Sequence, residues 1–382
     1  MPSIVDGKKS SSCAADGITA EIFQLALPPL TESLLSLFNL SLRLGYFPLP
    51  WKKATLTILK KPNKPDYNTP DKYRPISVTS PFPKSFEIII LERLKWLAAK
   101  HNWFHNGQHG FRDSRSTESA IHDLITRVES GFAKKQFTAC AFLDIKAAFD
   151  SAWHPAIIRA LLRKRCPIYL VKIIQSYLSN RSCTITIDGH SIDVNIEVGC
   201  PQGGVLSAFL WIVLIDDIFR FELQLPIFII AYADDITVGC THEHAETASR
   251  ILENACLLIL DFLQTIKLEV NIPKTTFLLF DPAKSNPLFN ICLHLLGSSI
   301  PASQTVTYLG ILIDFHLAWT LHVEQKCKSL HRLLFSIRQC LSLTWGLSRH
   351  RLQAAYRIIA EPTLLYACSV WSPAALASRV TS

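Results

Sequence analysis

The chain has 382 residues, 49% of them hydrophobic and only 18% charged, which is enough apolar material to bury a large core in two or three lobes. Lysine and arginine number 39 against 31 aspartates and glutamates, and the net charge of +8 fits a polyanionic partner without demanding one. The eleven cysteines stand singly from Cys13 to Cys368, with no Cys-x-x-Cys and no zinc-finger or zinc-knuckle spacing, so free thiols in a reducing, intracellular compartment are expected.

No signal peptide opens the chain, and its apolar runs reach only about eight to ten residues before a charge, too short to span a bilayer. No membrane partner is expected, and with no targeting signal visible the expected location is nucleus, cytoplasm or both. The only methionine is Met1, Gly7-Lys8-Lys9-Ser10 reads as no finished domain, and the chain stops just after Trp371-Ser372-Pro373. A fragment of something longer is expected.

In chain order, residues 18–45 read as one or two helices with Leu30, Leu34, Leu35, Leu37, Phe38 and Leu42 as the apolar stripe, ended by Pro48 and Pro50. A strand over 54–59 runs into the basic, proline-broken loop Lys60-Lys61-Pro62-Asn63-Lys64-Pro65. The chain returns through Lys72-Tyr73-Arg74-Pro75-Ile76-Ser77. Lysine and arginine on such a hairpin can grip phosphate oxygens, although an ordinary solvated loop has the same composition. Helices are predicted over 85–100 and 116–135. Between them, Gln108-His109-Gly110-Phe111-Arg112-Asp113-Ser114-Arg115 is polar and basic, suited to a nucleic-acid backbone or to a plain surface loop.

Phe137 to Ile145 reads as a buried strand closed by a lone carboxylate, Asp144. Two helices follow over 154–177, split near Pro167. The alternation from Ser182 to Val198, with Asp188-Gly189 between its halves, predicts a hairpin. It leads into Gly199-Cys200-Pro201-Gln202-Gly203-Gly204-Val205-Leu206-Ser207, a glycine-rich turn that permits close backbone approach and puts Gln202 at a helix entrance.

The stretch Ile227-Phe228-Ile229-Ile230-Ala231-Tyr232-Ala233-Asp234-Asp235-Ile236-Thr237-Val238 places two carboxylates inside an apolar strand pair. Desolvating them is costly unless a positive partner neutralises them, and a divalent metal is the obvious one. A solvated turn, which aspartate also favours, is the alternative. With Asp144 on a neighbouring strand, three carboxylates could hold two Mg²⁺ ions about 4 Å apart. A helix is then predicted over 245–267, strands over 277–280 and 306–314, and helices from Leu321 onward. Paired basic residues Lys326 and Lys328, and Arg349 and Arg351, mark these last helices. His242 and His244 read as a solvated loop.

Six motifs now stand in order: Tyr73-Arg74-Pro75-Ile76-Ser77, Gln108-His109-Gly110-Phe111-Arg112, Phe142-Leu143-Asp144-Ile145-Lys146-Ala147-Ala148-Phe149-Asp150, Pro201-Gln202-Gly203-Gly204-Val205-Leu206-Ser207, Ala231-Tyr232-Ala233-Asp234-Asp235 and Tyr308-Leu309-Gly310-Ile311. Together they resemble the reverse transcriptase domain of non-LTR (LINE-type) retrotransposons across nearly the whole chain. The resemblance implies an α+β right-hand polymerase fold with fingers, an antiparallel palm sheet flanked by helices, and a helical thumb. It implies an N-terminal extension and fingers over 1–135, a palm over 136–314 and a thumb or C-terminal lobe over 315–382, with the reverse transcriptase domain proper at 45–314.

The implied activity is RNA-directed DNA polymerisation, extending a primer 3′-hydroxyl with dNTPs by two-metal transfer, with Mg²⁺ or in its place Mn²⁺. RNA template, DNA primer or target DNA, and dNTPs are the implied partners. By motif match, Asp144, Asp234 and Asp235 are the catalytic metal ligands, joined by the backbone carbonyl of Ile145. Phe149 matches the steric gate against a 2′-hydroxyl. Lys61 and Arg74 match triphosphate-holding residues, Gln202 a residue near the incoming nucleotide and template, and Lys274 a lysine that protonates departing pyrophosphate. Gln108, Phe111, Arg112, Gly203 and Gly204 match nucleic-acid contacts.

The chain departs from the family pattern in two places. Ala14-Ala15-Asp16-Gly17 stands where a glycine-proline-aspartate-glycine opening is usual, and Ala208 where a proline is usual. No endonuclease, zinc-knuckle or RNase H region is visible, so those functions would lie in a longer parent chain. The competing expectations are an inactive fragment that retains nucleic-acid binding, against which the three carboxylates count, and an RNA-dependent RNA polymerase, against which the bulk of Phe149 counts.

Overall fold

The computed structural model describes residues 16–62, 65–187, 189–220, 227–283, 290–339 and 348–372. Helix α1 (Ala20–Leu44) begins at Thr19, whose hydroxyl accepts from the Ile22 N–H, and ends at Gly45 with φ 65°. Pro28 and Pro29 lie inside it without breaking it. The hydrogen bonds prolines forfeit there are offset by burial of aromatic side chains. Phe23 packs edge-on against Phe82 at 4.8 Å, and Phe38 stacks on Phe86 at 5.0 Å. By length and composition alone α1 is long and apolar enough to cross a membrane, with Glu32 interrupting its apolar run.

Strands β1 (Lys53–Lys60) and β2 (Tyr73–Val78) form the basic hairpin, and α2 (Pro81–Lys100) follows. Helix α3 (Thr117–Ala133) opens on a reciprocal capping pair, Ser116 and Ser119. Next come β3 (Phe137–Asp144), the short α4 (Ala148–Ser151), α5 (His154–Arg163) and α6 (Ile168–Leu178). The hairpin β4 (Arg181–Ile187) and β5 (His190–Ile196) then leads to α7 (Ser207–Ile215). Asp188 of the expected turn lies outside the described residues, and Gly189 has φ 80°. Strands β6 (Ile227–Tyr232) and β7 (Asp235–His242) precede α8 (Ala245–Thr265), β8 (Thr276–Phe280), β9 (Cys292–Leu295) and β10 (Ser298–Ser303). The last elements are β11 (Thr305–Tyr308), β12 (Ile311–Asp314), α9 (Thr320–Gln339), α10 (Arg349–Ala355) and α11 (Glu361–Leu365).

The single strand expected over 306–314 is instead the hairpin β11–β12. Leu309 and Gly310 take φ 46° and 85°, and two successive left-handed residues reverse the chain. His242, expected in a loop, is the last residue of β7. The pair β9–β10 was not anticipated.

The chain packs into two compact units that it visits in turn: Met1–Phe111, Ile145–Glu222 and Leu260–Val270 form one; Arg112–Asp144, Leu223–Ile259 and Asn271–Ser382 form the other. The first unit holds a four-stranded sheet ordered β2-β1-β4-β5, in which β1 and β4 run parallel. Its helix α7 is apolar on all sides and is correspondingly buried, Trp211 completely. Phe47 and Phe86, both fully buried, join its aromatic core with Tyr177.

The second unit is built on a six-stranded sheet ordered β6-β7-β3-β8-β10-β9, antiparallel except for the β8–β10 pair. Helix α3 covers it with Ile121, Leu124 and Val128, in a core shared with Phe142, Phe280, Tyr308 and Trp319. Each residue buried there contributes roughly 1.5–3 kcal/mol of transfer free energy. The sheet is therefore a stiff platform for whatever its strand ends carry.

Candidate active site

In the second unit the apolar stretch around Asp234 folds as the expected hairpin. Tyr232 pairs with Asp235, leaving Ala233 and Asp234 as a two-residue turn, with Ala233 at φ 56°. A left-handed alanine costs roughly 1–2 kcal/mol, so the tip stores local strain that the flanking buried strands sustain. Strand β7 also pairs with β3, and the register sets Asp144 directly opposite Asp235. Directly opposed residues of an antiparallel pair share one face of the sheet, so the two carboxylates stand side by side.

The electrostatic consequence falls on Asp235. Burial first, then the charges of Asp234 and Asp144, raise its carboxyl from 3.8 to about 6. Asp144 has partial relief: Lys274 Nζ lies 3.1 Å from its Oδ2, and Asn271 Nδ2 donates to the same oxygen at 3.3 Å. The Asn271 N–H also donates to the Asp144 carbonyl at 2.7 Å, tying the end of β3 to the turn that carries Lys274. A cleft of about 190 Å³ lies here, lined by Asp144, Asp235, Lys274, Thr237, Tyr308 and Leu309 among others.

Among the described residues no three histidine, cysteine or acidic side chains stand gathered as a ready metal cage. The donor chemistry nonetheless fits a hard divalent cation, because all three groups are carboxylates and their mutual repulsion is what a cation would relieve. Lys274 supplies a positive charge to Asp144.

The remaining predicted residues belong to the first unit, except Arg112, which is the first residue of the second. Lys61 and Arg74 sit on the β1–β2 hairpin; Arg74 is exposed and pairs with Leu59, and the Lys61 N–H donates to the Lys72 carbonyl. Phe149, in the turn of helix just past Ile145, meets Phe111 edge-on at 6.1 Å and the buried Trp211 at 5.5 Å. Its carbonyl accepts from the Cys200 N–H at 2.7 Å. Ile145 itself is buried and bridges Val270.

Gln202 is not at a helix entrance, as expected, but in the turn before α7, which begins only at Ser207. The reason is local: Gly203 has φ 101°, and the Gly204 N–H closes back on the Pro201 carbonyl. The Gln202 side-chain amide donates to both oxygens of Asp150 at 3.0 Å, and the Gln202 backbone carbonyl accepts from the Ser77 N–H at 2.7 Å. A Cβ at Gly203 would lie 2.9 Å from the Ser77 carbonyl oxygen, and one at Gly204 would lie 2.8 Å from both the Tyr177 and Ser207 hydroxyls. Both glycines are thus required for close packing as well as being candidate contacts.

Gln108 corrects another expectation. It is fully buried, and its Oε1 accepts from the Gly110 N–H at 3.3 Å, so it shapes its turn rather than facing a nucleic acid. Phe111, 47% exposed with φ 53°, remains available at the surface.

Sequence reasoning overlooked Asn271, Asp150 and Glu87. Asn271 sits in an irregular loop that offers no pattern. Glu87 carried the same signal as the aspartates, a carboxylate inside an apolar run (Phe86-Glu87-Ile88-Ile89-Ile90), and it is buried.

Comparison with known proteins bears on the chain as a whole. Residues 58–313 match the family model described as reverse transcriptase (RNA-dependent DNA polymerase). The chain is 27% identical, over 89% of its length and 38% of the relative's, to the probable RNA-directed DNA polymerase from transposon BS of Drosophila melanogaster. It is 28% identical, over 95% of its length and 35% of the relative's, to the putative 115 kDa protein in type-1 retrotransposable element R1DM of the same species. The RNA-directed DNA polymerase from mobile element jockey of Drosophila funebris is likewise 28% identical, over 90% and 37%. The chain therefore spans a little over a third of the length of the curated relatives it matches. With two thirds of its residues matched by the family model and its α+β sheet platform in place, the chain belongs to the reverse transcriptase (RNA-dependent DNA polymerase) family, as a domain of the non-LTR retrotransposon type.

Proposed function

We propose that this domain is an RNA-directed DNA polymerase that extends a primer 3′-hydroxyl with dNTPs on an RNA template. The observation that carries the reading is the strand register that sets Asp144 opposite Asp235, one residue from Asp234. Nothing in the packing of the sheet requires three acids there, and their repulsion works against folding.

In the reaction, the 3′-oxygen bonds to the α-phosphorus of the nucleotide, the bond to the bridging oxygen breaks, and pyrophosphate leaves. Reverse transcriptases use divalent metal ions. Here Asp144, Asp234 and Asp235, with the Ile145 carbonyl, would hold two Mg²⁺, which when bound acidify the 3′-hydroxyl and neutralise the departing charge. Lys61 and Arg74 on the β1–β2 hairpin bind the triphosphate through charge-assisted hydrogen bonds. Gln202, aligned by Asp150, orients the nucleotide, while Phe149 fills the space a 2′-hydroxyl would need. Lys274 pairs with Asp144 and, once displaced from it, is a proton source for pyrophosphate. An intracellular setting, in nucleus or cytoplasm, is supported by the nine described cysteines, all of them free thiols.

Primer extension on an RNA template with dNTPs and Mg²⁺, with Asp234→Asn alongside, tests the reading. Extension abolished by the substitution is expected. A folded protein that binds primer–template yet extends nothing would leave a nucleic-acid-binding remnant.

A further inference from the structure

Glu87 is a buried acid that the proposed chemistry does not use. It lies on α2, is 1% exposed, and directs one oxygen, Oε2, to three donors. These are the Val205 N–H at 2.8 Å, the Leu206 N–H at 3.2 Å and the Tyr177 hydroxyl at 3.2 Å. Arg181, 2% exposed, supplies the compensating positive charge, and its guanidinium lies over the Tyr177 ring at 4.8 Å. Burial pushes the Glu87 carboxyl up, against the pull of Arg181 and the two backbone donors.

The two N–H groups belong to the residues just before α7. That helix has no cap from its own neighbour, because Leu206 stands at its N-cap position with no side chain able to accept. Glu87 instead accepts, from another element, the N–H groups of that N-cap residue and of the residue before it, and its negative charge suits a helix N-terminus. The segment it grips is the tail of the Gln202 turn. The front of that turn is held by the Cys200 N–H on the Phe149 carbonyl, and its middle by the Ser77 N–H on the Gln202 carbonyl. The tail is closed by the Ser207 hydroxyl on the Pro201 carbonyl and by Glu87. Glu87 is the one charged side chain among these ties.

We propose that Glu87 is a positioning residue for nucleotide addition: it caps α7 from α2 and so holds the Gly203–Leu206 segment that fixes Gln202 toward the incoming nucleotide. The proposal rests on the reading of Gln202 given above, and the following experiment separates the two. The full chain is prepared as Glu87→Leu, Glu87→Asp, Glu87→Gln, Gln202→Ala and the Glu87→Leu/Gln202→Ala double variant. Amide hydrogen exchange is followed in the peptide over 199–206. The dNTP affinity of the primer–template complex is measured at equilibrium, together with KM and kcat.

Glu87→Leu should speed exchange of that peptide relative to the rest of α7. It should weaken dNTP affinity and raise KM about tenfold, the factor equivalent to about 1.4 kcal/mol, with kcat changed less. Added to Gln202→Ala it should cost little more, because both act through one side chain. Glu87→Gln keeps a carbonyl oxygen for both N–H groups and should restore KM. Glu87→Asp, which draws the carboxylate back by one methylene, should move in the direction of leucine and covers the case in which leucine does not fold. Unchanged exchange, or effects that multiply with Gln202→Ala, would overturn the proposal. If Gln202→Ala leaves dNTP affinity intact, the positioning role falls with the Gln202 reading, while faster exchange in Glu87→Leu would still establish the cap.

Discussion

Replacing Asp235 with asparagine should stabilise the fold while removing its chemistry. Burial and the charges of Asp234 and Asp144 raise this carboxyl from 3.8 to about 6. A carboxylate whose folded value lies above its unfolded one opposes folding once it ionises. The penalty is absent below pH 3.8, grows as pH rises toward 6, and is complete at pH 7. A shift of roughly two units corresponds to about 3 kcal/mol at full strength. Asp235 is only partly buried, so solvent screening reduces the realistic figure to about 1–2 kcal/mol. For a chain this long, with an unfolding entropy of roughly 0.8 kcal/mol per kelvin, that is a Tm gain of about 1–3 °C. The assay is a thermal melt of wild type and Asp235→Asn in EDTA at pH 7.5 and pH 4, and again with millimolar Mg²⁺. The variant should melt higher at pH 7.5 in EDTA, and the gap should close at pH 4. It should also narrow with Mg²⁺, which binds the native carboxylates and lifts only the wild type appreciably. A variant that melts lower than wild type in EDTA at pH 7.5, or a gap that ignores pH, would refute the electrostatic account.

Phe149→Val should open space for a ribose, so single-nucleotide incorporation of rNTP relative to dNTP should rise about 10- to 100-fold; an unchanged ratio would remove Phe149 as the gate. Gly203→Ala places a Cβ 2.9 Å from the Ser77 carbonyl at φ 101°, a strain of roughly 1–2 kcal/mol or more. It should raise KM for dNTPs with template binding intact, and wild-type kinetics would contradict the close approach. His322, 1% exposed, is lowered from 6.5 to about 4 by burial and by Lys326. Its Nδ1 accepts from the Leu312 N–H. A buried histidine held neutral gives stability that is complete above pH 6.5 and lost as pH falls toward 4, about 2 kcal/mol by pH 5. His322→Phe should flatten that acid slope in urea titrations while costing about 1 kcal/mol at neutral pH for the lost hydrogen bond; a slope identical to wild type would contradict the assignment.

Three carboxylates, one tied turn and one aromatic ring make different demands on the fold. The acids need a rigid sheet because their repulsion would otherwise be relaxed by moving apart. Asp144 is the last residue of β3 and Asp235 the first of β7, so the ladder holds both backbones in place. Phe149 and Gln202 need mutual support instead, and they receive it from Trp211, Asp150 and the hydrogen bonds to Cys200 and Ser77.

The order of motifs, the β1–β2, β4–β5 and β6–β7 hairpins and most helix spans were legible in the sequence, because period-two alternation, turn residues and apolar stripes are short-range signals. The identity of the acids was legible for the same reason, since Asp144, Asp234 and Asp235 each interrupt an apolar strand where an ionised group is costly. Only tertiary structure decided that Asp144 faces Asp235, that Asn271 and Lys274 attend it, and that Glu87 caps a helix more than a hundred residues downstream. It also decided that Gln108 is buried, and that 306–314 folds back on itself at Leu309 and Gly310. These are questions of strand register, of which distant donor fills a buried acceptor, and of how backbone strain is repaid by packing. The energies that settle them arise between segments far apart in the chain, so no local pattern contains them.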